Sequence, residues 1–271
     1  MKNNKHYGTG SYKMIDKDGK EYLLTVEHDE YADNPRNEYN VTTMICWHRR
    51  YNLGDSHAYD GIEDFFQELC EDVLGKSRPE TDELKWTDML TMLEESNLIY
   101  IKQLNLYEHS GITISTSNAY PYNDRWDSSP VGFVYITKEH IFTEGCRLAA
   151  KDEDGNEILI EHKHEGFPST YSVQTIPTTN ENWKDVAKYL IDCEVERYDQ
   201  HLRGEAYRYT LEEKVHYRNE TKCPHCNEII KIDEYDDYEE VDSCCCFFGS
   251  CLEENGILDS ISSNLKFIEE D

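Results

Sequence analysis

The chain has 271 residues, with 56 acidic against 27 basic side chains, a formal charge of −29, and a hydrophobic fraction of 38% made bulky by 20 Tyr, 8 Phe and 4 Trp. That length suits one large domain or two small ones, and no apolar run approaches the roughly 20 residues a membrane span needs. Such a charge repels nucleic-acid phosphates, which argues against direct DNA or RNA binding, and attracts basic protein surfaces, including those that hold nucleic acid. The first residues, Met1-Lys2-Asn3-Asn4-Lys5-His6, lead into no apolar segment, so no signal peptide is expected. In a reducing cytosol the 10 Cys are then core thiols or metal ligands rather than disulfides. Cys46, Cys70 and Cys193 lie in apolar-periodic stretches and are expected to be buried small hydrophobes.

In chain order, residues 10–16 and 21–28 flank Asp18-Gly19, a hairpin dipeptide, with Tyr22, Leu24 and Val26 alternating on the second arm. A strand from Val41 to Trp47 leads into the polar loop His48 to His57. Residues 61–74 have helical spacing at Ile62, Phe65, Phe66, Leu69 and Val73, with Gly75 as a stop. A second helix is expected over 82–95, then strands at 98–107, 111–117 and 131–137, with 120–130 as a loop. Residues 146–162 suggest a hairpin around Asp154-Gly155, and the Ser/Thr/Pro-rich stretch 166–181 a connector.

Residues 183–202 carry the clearest helical stripe, Ala187, Leu190, Ile191, Glu194, Tyr198 and Leu202, ended by Gly204. A strand over 206–217 precedes a cysteine-rich tail with an acidic low-complexity run at 227–242 and a short helix near 257–265. The expected architecture is α+β, a mainly antiparallel sheet with a few packed helices. Its main domain is expected over residues 1–218, with residues 219–271 as a small cysteine-rich C-terminal element packed on or inserted in it.

Cys223-Pro224-His225-Cys226 carries the strongest chemical signal. Two thiols two residues apart on a tight turn can chelate one Zn²⁺, and a closed site needs four ligands. The second pair would come from Cys244 or Cys246 with Cys251, because the gap from Cys226 to Cys244 falls in the zinc-ribbon range. The competing readings are a metal-free thiol-rich loop and, more weakly, a redox pair. A second constellation gathers His48, Arg49, Arg50, Asp55, His57, His109, Trp126 and Asp127. His and Asp are parts of hydrolytic and metal sites, yet no nucleophile elbow, phosphate loop or H-E-x-x-H motif accompanies them. Pairing of Arg49 and Arg50 with carboxylates is the structural alternative. On the long helix, Glu194, Glu196, Asp199 and Arg203 suggest an ion-pair face.

Several of these segments together resemble a family of phage and integrative-element proteins of unassigned function. They are Asn34-Pro35-Arg36, the run Met44 to Asp55, Leu106 to Thr113, Trp126 to Tyr135, Glu194 to Glu205, and Asp242-Ser243-Cys244 with Phe247-Phe248-Gly249. In the family pattern a Trp-Gly pair follows Asp-Ser-Cys. Here Cys245 and Cys246 stand there, which favours Cys244 as the third ligand. The resemblance implies a mobile-element origin and one continuous domain, with an accessory role by analogy of setting; with no signal peptide expected, the expected location is the cytoplasm of a host bacterial cell.

The expected function is stoichiometric. The chain would bind a host or element protein through its acidic surface, with Asp233, Glu234, Asp236, Asp237, Glu239, Glu240 and Asp242 as the contact, and so inhibit a nucleic-acid-targeting defence system. The alternatives are a hydrolase or nucleotide-modifying enzyme built on His48, Asp55, His57, His109 and Asp127, and a regulatory or structural protein of the element. Zinc is the expected cofactor. No direct nucleic-acid or membrane partner is expected, and self-association is left open.

Overall fold

The computed structural model describes residues 6–109, 111–117, 128–152, 158–162 and 170–268. In chain order the strands and helices begin with β1 (Gly10–Ile15), β2 (Glu21–His28), β3 (Thr43–Cys46), α1 (Ile62–Leu74), α2 (Arg78–Thr81) and α3 (Trp86–Ser96). Next come β4 (Ile99–Glu108), β5 (Ile112–Ser115), β6 (Ser128–Thr137), α4 (Lys138–Thr143), β7 (Arg147–Ala149), β8 (Leu159–His162), β9 (Thr170–Val173) and β10 (Thr175–Pro177). The chain continues with α5 (Trp183–Leu202), β11 (Ala206–Lys222), β12 (Ile229–Phe248), α6 (Ile257–Ser260) and β13 (Lys266–Phe267). The architecture is α+β with antiparallel sheets.

The chain forms two compact units, Met1–Asn34 with Gln200–Asp271, and Pro35–Asp199. This division differs from the expected boundary at 218, which falls inside β11. The second unit is an insertion between β2 and the strand that pairs with it.

In the first unit the sheet order is β12-β11-β2-β1-β13. The β1–β2 turn forms as its sequence predicts. Gly19 sits at φ 83°, where a side chain would be strained, and the Asp16 carboxylate accepts from the backbone N–H groups of Asp18 and Lys20 at 2.9 Å. Met14, Leu24, Val26, Tyr209 and Leu211 bury one face of this sheet with Leu252, Ile257 and Ile261. β2 pairs with β11 only from Tyr207 to Glu213. Beyond Glu213, among the described residues, β11 and β12 pair only with each other and continue as a two-stranded ribbon to Lys222 and Ile229. From β11 Glu213 to Lys222 that ribbon spans about 30 Å at roughly 3.3 Å per residue.

In the second unit the order is β3-β6-β4-β5. α1 and α3 supply Phe65, Phe66, Leu69, Met89 and Leu93 to a core shared with Ile45, Ile99, Ile101 and Phe133. Phe66 meets Phe133 edge-on at 5.0 Å, the geometry aromatic quadrupoles prefer. Gly75 ends α1 in the left-handed region, as its position in the sequence predicts. Gly132 is required for a different reason. A Cβ there would lie 2.0 Å from the Ile45 carbonyl oxygen on β3.

Four local expectations need correction. The helix expected over 82–95 begins later, as α3 at Trp86, and it is preceded by the unforeseen short α2, capped by Ser77 and Glu80 (Ser77 N–H to Glu80 at 2.9 Å). β7 and β8 form no ladder with each other as a 146–162 hairpin, although the Ile158 N–H bonds the Ala150 carbonyl at 2.9 Å, and the expected Asp154-Gly155 turn lies outside the described residues. β7 pairs with β10 and β8 with β9, so the supposed connector 166–181 contributes two strands. α4 was not foreseen; the Thr137 hydroxyl caps it by accepting from the His140 N–H at 3.1 Å. Cys46 and Cys70 are buried, but Cys193 is exposed on the outer face of α5.

Candidate functional site

The polar cluster foreseen around the loop after β3 separates into three settings. Asp55 is a structural anchor. It takes both Arg36 Nε and Nη2 at 2.8 Å and the Met44 N–H at 2.7 Å. Arg36, whose side chain is 1% exposed, also donates to Glu194 at 2.9 Å and to the Thr42 carbonyl at 2.8 Å. Glu194 in turn accepts from the Val41 N–H at 2.8 Å and from the Thr42 hydroxyl. Burial pulls the Arg36 pKa down, but the bonds to Asp55 and Glu194 outweigh it, and the net shift is upward. The guanidinium is therefore charged, satisfied and closed to a ligand. Alongside it, the Tyr198 hydroxyl accepts the Gly54 N–H at 3.0 Å, and Asp199 accepts the Ile114 N–H at 2.7 Å.

His48, Arg50, Tyr51 and Glu108 form the second setting. His48 stacks on Tyr51 at 5.0 Å, and its Nδ1 accepts the Tyr51 N–H at 3.2 Å. Arg50 donates to both Glu108 oxygens, at 2.8 and 2.9 Å, and His48 Nε2 lies 3.7 Å from the same carboxylate. The Trp47 N–H bonds the Val131 carbonyl at 2.8 Å, so the loop is tied to both β4 and β6. Arg49 and His109 are exposed. Trp126 and Asp127 lie outside the described residues.

His57 makes the third setting. Its Nε2 bonds the Cys46 carbonyl at 2.9 Å, which requires the proton on Nε2, and Nδ1 is buried without a partner. It borders a cavity of about 300 Å³ with Asp55, Tyr59, Asp64 and Glu68. Burial pushes the Tyr59 hydroxyl up to about 12. Hydrogen bonds do not join His48, Asp55 and His57 to one another, so these residues do not form an acid–base relay.

The expected four-cysteine zinc site is not formed. Cys223 and Cys226 occupy the turn between β11 and β12, closed by the Asn227 N–H to the Cys223 carbonyl at 2.9 Å. Cys244 lies opposite Tyr209, about 50 Å along the strand from that turn at roughly 3.3 Å per residue. Zinc ligands sit about 2.3 Å from the ion, so these two groups cannot share one within a chain. Cys251 is buried, and its thiol points to Glu253 at 3.4 Å.

The thiols that do converge are the two that the sequence disfavoured. Asp29, Cys245 and Cys246 place their donor atoms within 4.8 Å of one another. Adjacent residues of a regular strand point to opposite faces, yet the Cys245 and Cys246 sulfurs are 3.6 Å apart. The break comes from Cys246 itself, a non-glycine residue at φ 66° whose N–H is held by Asp29 at 3.1 Å. A register shift between Tyr207 and Tyr209 accompanies it on β11. The proximity of Cys246 raises the pKa of the Cys245 thiol, with burial and Asp29 adding to the effect. A divalent cation would reverse that repulsion. Asp29 also borders a cavity of about 440 Å³ with His28 and His201, and burial lowers the His201 pKa, leaving a neutral imidazole near pH 7.

The acidic residues all lie on β12. Asp233, Asp237 and Glu239 share one face with a stacked Tyr217–Tyr235 pair at 5.3 Å. Both faces are partly satisfied: Asp233 pairs with Lys231 at 2.8 Å and Glu239 accepts from the Tyr217 hydroxyl, while on the other face Glu234 lies 3.6 Å from Arg218 and Asp236 lies 2.8 and 3.4 Å from His216 and Lys214. Glu240 bonds the Ser243 hydroxyl, and Asp242 the Tyr209 hydroxyl, each at 2.7 Å. No helix among the described residues is long and apolar enough to cross a membrane. No protein-family model, curated protein or solved structure matches the chain.

Proposed function

We propose that this chain is a stoichiometric binder that offers the β11–β12 ribbon to a basic protein surface, in its mobile-element setting that of a nucleic-acid-targeting defence protein. The observation that carries this reading is the face of β12 on which Asp233, Asp237 and Glu239 flank the Tyr217–Tyr235 stack, whose Tyr235 ring is exposed and Tyr217 ring half-buried. Alternate strand residues stand about 6.6 Å apart, so the face presents regularly spaced anionic groups with aromatic rings between them. A surface made for phosphates and bases meets similar charge and similar stacking there. Zinc is the metal we assign to Asp29, Cys245 and Cys246. Two thiolates and a carboxylate suit it, with a fourth ligand from water or a neutral imidazole, and an ion there would tie β12 to the end of β2.

The test is displacement of labelled duplex DNA from a basic DNA-binding protein, read by fluorescence anisotropy. The wild-type chain should displace the DNA, less so as salt rises. The combined Asp233→Asn, Asp237→Asn and Glu239→Gln variant should lose most of that activity. Binding of DNA by the purified chain itself, or equal displacement by the neutralised variant, refutes the reading. For the metal, one zinc per chain should be lost on Cys245→Ser with Cys246→Ser; retention of that zinc refutes the site.

A further inference from the structure

The apex of the ribbon differs from the rest of this acidic chain. Between Glu220 and Ile232 two acidic residues, Glu220 and Glu228, balance Lys222 and Lys231, so the tip is neutral in a protein of net charge −29. Ile229, Ile230 and Ile232 stand beside the turn at 46%, 64% and 45% exposure. Cys226 is exposed with its thiol 3.6 Å from the Glu228 carboxylate, and the turn is closed by the Cys223 N–H to the Glu228 carbonyl at 2.7 Å and the Asn227 N–H to the Cys223 carbonyl at 2.9 Å. That arrangement is half of a closed thiolate site. The tight turn carries both cysteines at the apex, two residues apart as in half of a tetrahedral thiolate set, and Cys244, Cys245 and Cys246 lie tens of ångströms down the strand.

We infer that two copies of this chain join tip to tip through one divalent zinc ion, each copy supplying Cys223 and Cys226, with the three isoleucines of each apex covering those of the other. Four sulfurs complete the tetrahedral set that neither copy can complete alone. The two-fold relation makes one small apolar collar complementary to itself. Charge favours this arrangement over contact elsewhere. The apex lies about 30 Å beyond the last pairing with β2, several times the screening length of about 8 Å at physiological salt. The acidic sheets therefore need not approach each other, and each joined pair would carry two acidic faces for a partner.

The test uses the full chain in the presence of a phosphine reductant, with molar mass followed by light scattering as zinc is titrated. The mass should double as half an equivalent of zinc per chain binds at the apex, and chelator should return it to the single-chain value. Cys226→Ser and, separately, Cys223→Ser should leave the circular dichroism unchanged and abolish doubling. Ile230→Asp should weaken it at least tenfold, and Cys245→Ser with Cys246→Ser should leave it intact. A chain that stays single with zinc bound at the apex, a pair that survives Cys226→Ser, a zinc-independent pair that reductant dissolves, or loss of pairing only in the Cys245/Cys246 variant would each overturn the inference.

Discussion

The Arg36 network predicts a large loss of stability from one substitution. Arg36→Met keeps the volume and removes the charge shared by Asp55 and Glu194, whose side chains are 25% and 17% exposed. Removing one partner of a buried ion pair costs about 3–5 kcal/mol, because the charge left behind remains desolvated. Both carboxylates retain some contact with water and with backbone donors at Met44 and Val41, which places the expected loss near the lower end, about 3 kcal/mol. For a unit of this size that is a fall in Tm of about 6–12 °C, or roughly 1.5 M in the urea midpoint at an m-value near 2 kcal/mol/M. All four Trp lie within the Pro35–Asp199 unit, so tryptophan fluorescence reports its unfolding. Arg36→Lys keeps the charge but cannot reach two Asp55 oxygens, Glu194 and Thr42 together, and should lose about half as much. Adding Asp55→Asn and Glu194→Gln to Arg36→Met should restore part of the loss by removing the stranded charges. A drop below about 1 kcal/mol in Arg36→Met, the range of an exposed pair, refutes the argument that this network holds β3 and its loop to α5.

Gly132→Ala should cost about 3 kcal/mol or more, or prevent folding, since its Cβ would meet the Ile45 carbonyl at 2.0 Å and only backbone could yield; the same urea titration measures it. Arg50→Ala, which removes a pair whose arginine is 56% exposed, should cost under about 1 kcal/mol, and a much larger loss would assign the His48–Glu108 group a role beyond the surface. Burial raises the Tyr59 pKa from 10.0 to about 12. The folded state therefore holds that proton more tightly, and the associated stability is complete below pH 10 and lost as pH rises towards 12. Tyr59→Phe should flatten the fall in Tm across that window. Cys246→Gly should raise stability in chelator by about 1 kcal/mol, because φ 66° suits glycine, while abolishing any rise in Tm on adding zinc. Destabilisation in chelator would show that the Cys246 side chain is there for packing.

The fold was legible where one physical rule acted alone. The β1–β2 hairpin follows from Asp18-Gly19, α1 from the spacing of Phe65, Phe66 and Leu69 with Gly75 behind it, and α5 from its long apolar stripe. Sequence reasoning failed where partners are distant in the chain. Nothing local in residues 146–162 says that β7 takes β10 and β8 takes β9, because a short strand's pairing is decided by what else reaches its edge. The split into two units was hidden for the same reason. β2 and β11 pair across the whole of the inserted unit, and only their register reveals it.

The candidate sites were less legible, and for two different reasons. Asp55 and Glu194 both stand in the motifs that carry the resemblance, and so does Arg36. The expectation treated Asp55 as chemistry and passed over Arg36, because a sequence shows a carboxylate's type but not whether a cation already holds it. The zinc expectation erred through spacing. Zinc-ribbon spacing between Cys226 and Cys244 joins the two thiol pairs only where the intervening residues fold back. Ile229, Ile230, Ile232, Tyr235 and Val241 instead make that stretch an extended strand, and extension carries the pairs apart. The same alternation should also have sent Cys245 and Cys246 to opposite faces. They meet because Cys246 adopts a backbone conformation that few non-glycine residues take, held there by Asp29 from β2's far end. A strained residue with two sulfurs and a carboxylate gathered around it is the pattern expected where a site has been favoured over local stability. β12 stays in the sheet from these thiols to Glu239, about 20 Å at roughly 3.3 Å per residue, before the ribbon begins, so an ion there would hold β12 to the end of β2 and leave the acidic face to the ribbon's own pairing.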